Sequence, residues 1–139
     1  MKITRHDVLW SVLVLSLCAC GAQEYQVRGN ELAPAADAII TAKINKRQNL
    51  TKLEIEATNL TPPDRLLPNG NAYVVWTKAS AASTWSRAGS LALRDEGRTG
   101  FAELTVPESA FDLAITAETD VNVGAPSRKA VLEKHVAED

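Results

Sequence analysis

Chemistry-bearing side chains are scarce in this 139-residue sequence, which has only two cysteines and two histidines. Cys18 and Cys20 both fall at the amino-terminal end, so the rest of the chain has no thiol for a disulfide, a metal or nucleophilic catalysis. His6 is also near the start, and His135 stands close to the end among Glu133, Lys134 and Glu138. One imidazole cannot supply the usual zinc ligand set, and a Ser-His-Asp triad would have to be built around His135 alone. No Lys/Arg run is longer than Lys46-Arg47 or Arg128-Lys129, and the net charge is −2, so the basic footprint of a nucleic-acid binder is missing. No glycine-rich loop follows a strand and opens a helix, which removes the phosphate cradle. The apolar stretch Val8 to Leu17 has 10 residues. That is about half of the roughly 20 a membrane-spanning helix requires.

What is present at the amino terminus is informative. Lys2 and Arg5 precede the short apolar core, and small residues follow it, the layout of an export signal. The stretch Leu17-Cys18-Ala19-Cys20-Gly21 resembles a bacterial lipobox, in which a small residue precedes an obligatory cysteine. Ala19 before Cys20 suits that pattern, whereas Leu17 before Cys18 is too large. The resemblance implies removal of residues 1–19, a thioether-linked diacylglycerol and an acylated amino group on Cys20, and attachment to the cell envelope. Gly21 is not an Asp-type retention residue, so in a two-membrane cell the expected address is the outer membrane, facing the periplasm. The alternative is an ordinary secretory signal cleaved after Ala22. His6 and Asp7 dilute the positive segment and depart from the pattern.

Loss of residues 1–19 removes two cations and one acid, leaving a charge of −3 on a chain of single-domain size. Residues 20–37 are rich in Ala, Gln, Glu, Gly and Asn with Pro34, and read as a flexible, solvated tether. Residues 38–139 read as the folded domain.

Most of that domain alternates at period two. Ala38, Ile40, Ala42 and Ile44 share one face, and Leu53, Ile55 and Ala57 oppose Lys52, Glu54, Glu56 and Thr58. Pro62-Pro63 stops the second of these strands, since proline cannot donate to a ladder. Ala72 to Thr77 is apolar on both faces and β-branched or aromatic, the signature of a central strand, with Trp76 expected as the core aromatic. Ala79 to Ala88 reads as a loop or ragged edge strand. Ser90–Arg94 and Phe101–Val106 flank a hairpin whose Gly97 and Gly100 are expected at positive φ. Ala110–Glu118 alternates again, and Ala130–Val136 reads as a closing strand, although its Ala, Leu, Glu and Lys also suit a helix. About seven short strands between Gly/Pro/Asp/Asn turns predict an all-β, antiparallel two-sheet sandwich of immunoglobulin or fibronectin III type, without the immunoglobulin cysteine pair.

From Tyr73 onward the pattern resembles the extracytoplasmic domain of the anti-sigma-K factor family. Tyr73 and Trp76, Gly89 with Leu91, Phe111 to Glu118, Pro126 and Val131-Leu132 carry the likeness. With its Pro-Pro turn before the Tyr-Trp strand, the chain is also similar to uncharacterised envelope lipoproteins of myxobacteria-like bacteria. These are core and turn residues, so they imply a fold rather than an activity. The zinc-binding anti-sigma segment is missing, and sigma-factor inhibition does not carry over.

Carboxylates are the remaining candidates for chemistry. Asp64, Glu103 and Glu118 are the residues a small hydrolase or sugar-active domain would use. Asp95-Glu96 with Gly97, or Glu118 with Asp120, could hold calcium, but neither offers alternating oxygen ligands over a long loop. Asn49-Leu50-Thr51 and Asn59-Leu60-Thr61 spell glycosylation acceptors that a bacterial lipobox would leave idle. For surface recognition the candidates are Trp85 and Arg87 in the small-residue loop, and Arg65 and Leu66 in the long Pro62–Pro68 connection. Trp85 either offers its ring to a glycan or partner or folds back over the sandwich edge. Leu66 and Leu67 either make contacts or plug the open end.

The reading that follows is a non-enzymatic envelope lipoprotein, anchored through Cys20 and needing no cofactor or metal, whose β-sandwich binds an envelope protein or glycan or serves as a structural accessory. An envelope-stress sensor is the alternative. Cys20→Ser should move the protein from membrane pellet to soluble fraction and end incorporation of labelled fatty acid, because acyl chains are the whole of the expected attachment. Unchanged pelleting would remove the support for a lipid anchor.

Overall fold

The computed structural model describes residues 21–139, so the expected signal segment and Cys20 lie outside the described residues. The chain forms nine strands: β1 (Gln23–Arg28), β2 (Asp37–Asn45), β3 (Leu50–Thr58), β4 (Ala72–Lys78), β5 (Ser86–Ser90), β6 (Ala92–Arg94), β7 (Thr99–Val106), β8 (Phe111–Glu118) and β9 (Leu132–Val136). They build two antiparallel sheets, in the orders β1-β2-β3-β7-β6 and β5-β4-β8-β9. From β2 onward this is the strand pairing of an immunoglobulin-type sandwich, one sheet of four and one of three plus an extra edge strand. Strand β1 is added outside it. Among the described residues, no helix is long and apolar enough to cross a membrane.

Alternation explains the first sheet. Thr51, Leu53, Ile55 and Ala57 of β3 are buried while Lys52, Glu54, Glu56 and Thr58 face water, and Ala38, Ile40 and Ala42 of β2 lie beside them in register. Tyr73 and Val75 of β4 and Phe111, Leu113, Ile115 and Ala117 of β8 complete the layer between the sheets, with Leu132 and Val136 of β9. The closing segment is a strand, as expected from its place after a turn.

Three expectations are corrected. The segment read as a tether is not free: Gln23–Arg28 pairs with β2, Val27 is buried opposite Ala38, and the Tyr25 hydroxyl donates to the Ala137 carbonyl at 2.8 Å. Only two apolar side chains mark this strand, too few to stand out in the composition. What orders it is the hydrogen-bond ladder offered by β2. Secondly, the strand expected over Ser90–Arg94 divides between sheets: Ser86–Ser90, an edge strand as the 79–88 reading allowed, joins β4, and after Leu91 the chain crosses so that Ala92–Arg94 joins β7. These additions give nine strands in place of about seven. In the β6–β7 turn, Gly97 has φ +85°, but the other positive-φ residues are Asp95 and Glu96. Gly100 lies in β7, where a Cβ would crowd Leu91 at 2.8 Å.

The third correction concerns Trp76. It is fully buried, but not between the sheets. The period of two that turns Tyr73 and Val75 inward turns Val74 and Trp76 to the outer face of the second sheet. There they form a separate cluster with Ala114 and Ala130, against which Val123 and Trp85 pack. The 119–131 connection folds back over this face and shields it from water. Strand β4 is therefore apolar on both faces because both are covered.

Trp76→Ala should cost about 3–5 kcal/mol, the range for deleting a fully buried tryptophan. His135→Ala, at an exposed site, should cost under about 0.5 kcal/mol. Urea midpoints of the two variants against the parent measure both.

Candidate functional site

The strands expose two ends. At one, which we call the distal end, the 29–36, 59–71 and 119–131 connections meet. The first is held by Gly29 N–H to Ala36 C=O at 2.7 Å and by the Asn30 amide, which donates to the Ala130 carbonyl at 2.6 Å. This leaves Leu32 exposed while Ala33 and Ala36 are buried. In the second connection a single 3₁₀ turn spans Pro63–Arg65, and Leu66 and Leu67 N–H both donate to the Pro63 carbonyl. Gly70 closes this loop where a Cβ would overlap the Pro63 carbonyl. Leu67 is buried, Leu66 half-buried and Arg65 exposed, so the leucines cover the sandwich end while Leu66 keeps a free edge.

Between these loops lies a notch of about 240 Å³ lined by Leu32, Leu66, Ala117 and Val131, with Ser127, Arg128 and Lys129 on its wall. Drug-sized ligands take pockets of roughly 300–1,000 Å³, so this one suits a side chain or short aliphatic group. Arg128 and Lys129 bring cationic charge to that wall. Lys129 and Glu31 form an exposed ion pair in which the shared hydrogen bond lowers the Glu31 pKa and raises that of Lys129.

A buried polar chain fixes the wall. Trp76 Nε1 donates to Thr116 Oγ1 at 2.8 Å, and Thr116 Oγ1 donates to Glu118 Oε1 at 2.9 Å. Glu118 Oε1 also accepts from Ser127 N–H at 2.8 Å, and Oε2 accepts from the Ser127 hydroxyl. Glu118 is thus a buried clamp that ties the 119–131 connection to β8. Thr116 and Ser127 escaped the sequence reading. Thr116 and Glu118 share a face with Ala114 by period two, but nothing local links them to Ser127 nine residues on.

Trp85 and Arg87 lie elsewhere, on the outer face of the second sheet. Trp85 is half-buried against the Trp76 cluster, with Lys78 Nζ 4.5 Å from its ring centroid. Beside it an open basin of about 320 Å³ is lined by Lys78, Asp112, Glu133, Lys134 and His135, and His135 Nδ1 lies 2.7 Å from Asp112 Oδ1. Arg87 donates to the Val121 carbonyl at 2.6 Å and to Asn122 Oδ1 at 3.1 Å, which pins the covering connection. The structure therefore joins Arg65 with Leu66 and Trp85 with Arg87 but separates the two pairs.

The carboxylates do not converge. Asp64 is on the distal loop, Glu103 is exposed on the outer face of the first sheet opposite Glu54, and Glu118 is saturated by donors. Asp95 accepts from Thr99 Oγ1 and Asp120 from Asn122 N–H, so both acidic turns are braced internally. Among the described residues there is no group of three or more metal-ligating side chains. Asn49 and Asn59 hold positive-φ turn positions.

These features define a two-sheet β-sandwich with an apolar notch at one end and a covered outer face. Comparison with known proteins found no matching family, no matching curated protein and no matching solved structure.

Glu118→Ala should cost about 2–4 kcal/mol, since it orphans donors on Thr116 and Ser127, and should speed amide exchange at Ser127. Tyr73 generates a pH prediction. Its buried hydroxyl donates to the Thr61 carbonyl, and burial pushes its pKa up to about 12. The fold favours the neutral phenol, so this contribution is complete below the ordinary tyrosine value of about 10 and is lost as pH rises through about 12. Alkaline unfolding of the parent should carry this component and that of Tyr73→Phe should not.

Proposed function

We propose that this chain is a lipid-anchored, non-catalytic binding module of the bacterial envelope that captures a protein partner at its distal notch. The observation that carries this is the half-free Leu66 beside Leu32 over a rigid aliphatic notch. Exposed apolar groups ringed by polar ones mark contact sites. The partner chemistry follows from the surroundings. Leu32, Leu66, Ala117 and Val131 accept an aliphatic side chain, and Arg128 and Lys129 on the wall favour an acidic neighbour on the partner.

The non-catalytic part of the reading is supported by disposition. Asp64 is exposed on the distal loop, Glu103 on the outer face of the first sheet and Glu118 is buried, and the basin around His135 and Asp112 is lined by no hydroxyl or thiol nucleophile. Lipid anchoring rests on the Leu17–Gly21 pattern.

A photo-crosslinking residue at Leu66 should trap one discrete envelope protein in living cells, and the same residue at Glu103 should not. Arg128→Glu should reduce the Leu66 adduct at least about fivefold, since it removes a cation from the notch wall and adds a repulsive charge, worth about 1 kcal/mol or more. Hydrolytic turnover by the purified protein that vanished with Asp64→Asn or Glu118→Gln would overturn the reading.

A further inference from the structure

The start of β1 bears on how the domain is held. Ladder pairing begins at Gln23, opposite Ala42, so only Gly21 and Ala22 separate Cys20 from a hydrogen-bonded strand. The three residue steps from Cys20 to Gln23 reach about 10 Å when extended. The Gln23 end of β1 is also where β2, β4, β7 and β9 end and where β3, β5 and β8 begin. Several contacts gather the segments there. Asn49 Oδ1 accepts from Ser109 N–H at 3.0 Å, Thr51 Oγ1 donates to the Glu108 carbonyl at 2.7 Å, and Lys46 pairs with Glu138 at 3.0 Å. Tyr25 holds Ala137, and Lys134 Nζ lies 5.0 Å from the Tyr25 ring centroid.

We infer that this end, presenting the Lys46–Asn49 turn, the Ala79–Thr84 loop and the Pro107–Ser109 turn, is seated on the phospholipid headgroups that hold the anchor. The inference rests on the lipidation of Cys20 proposed above. A leash of about 10 Å on a hydrogen-bonded strand fixes orientation as well as attachment, whereas a flexible tether of 17 residues would let the domain tumble. The charges at this end are mixed: Lys46 and Arg47 stand against Glu108, Glu138 and Asp139. The leash, not attraction to anionic lipid, is therefore what seats it. Strands of nine residues span about 30 Å. The notch with Leu32 and Leu66 accordingly faces away from the bilayer, into the compartment where a partner is found.

The processed, lipidated full-length protein tests this. Signal removal discards Cys18 and lipidation consumes the Cys20 sulfur, so one introduced cysteine is the sole free thiol. Arg47→Cys and Gln48→Cys mark the seated end and Asp64→Cys the far end. Each carries an NBD fluorophore in vesicles of phosphatidylethanolamine and phosphatidylglycerol containing headgroup spin-labelled lipid. Quenching at 47 and 48 should exceed that at 64 at least about fivefold, because a contact quencher does not reach across about 30 Å. The ratio should hold at high salt. Inserting about ten Gly/Ser residues between Ala22 and Gln23 should bring it towards one while the protein stays on the vesicles. Equal quenching at both ends of the vesicle-bound parent, collapse of the ratio in salt, or a ratio unmoved by the insertion would overturn the seating. A protein that does not float with the vesicles would overturn the anchor itself, seen by flotation before any quenching is measured.

Discussion

The pairing of β4 with β8, from Ala72 opposite Glu118 to Lys78 opposite Asp112, is the constraint on which the rest of the structure depends. These two strands are buried on both faces, so each must be covered twice. Inward, Tyr73, Val75, Phe111, Leu113 and Ile115 draw the first sheet over them. Outward, Val74, Trp76 and Ala114 require a second cover, and an immunoglobulin-type sheet has no third layer to supply it. The 119–131 connection does so. A long loop at this point is therefore structural before it is anything else.

Covering an apolar face with irregular chain creates a polar problem, because such chain carries backbone groups that need partners. Glu118 meets it. Placing a carboxylate beneath the connection is costly unless it is fully hydrogen-bonded, and here Thr116 and Ser127 donate to it while Trp76 donates to Thr116. Arg87 does the same from the other side with the Val121 carbonyl and Asn122. One consequence is the notch: its wall at Ser127–Lys129 stands where it does because the clamp sets the position of the connection. A buried carboxylate of this sort resembles a catalytic group in the sequence, and its environment shows it employed in holding a loop.

The two ends of the sandwich are then unlike. One carries short turns beside the start of β1, and the other carries the long connections that build the notch. Under the lipidation of Cys20 proposed above, the short leash at the first end would make this polarity directional with respect to the membrane. A flexible tether over residues 20–37, as their composition suggests, would leave the notch with no fixed direction. Val27 against Ala38 and Tyr25 against Ile40 make the difference, a modest apolar gain added to a ladder that β2 already offered.

The all-β class, the alternating strands around Ala38–Ile44 and Leu53–Ala57, the doubly apolar Ala72–Thr77 strand and the Pro-Pro stop were legible from the residues alone, because periodicity and proline geometry are local properties. The long Pro62–Pro68 connection that carries Arg65 and Leu66 was legible for the same reason, since prolines end one strand and delay the next. Long-range packing settled the rest: which face of β4 Trp76 occupies, that Gln23–Arg28 is a strand, that Trp85 and Arg65 are apart, and that Glu118 serves Ser127. Each of these depends on what lies opposite. A period of two says that neighbours point to opposite sides, but which side becomes the shared core is set by the partner sheet. An edge strand with two apolar side chains exists only where another strand is there to bond it.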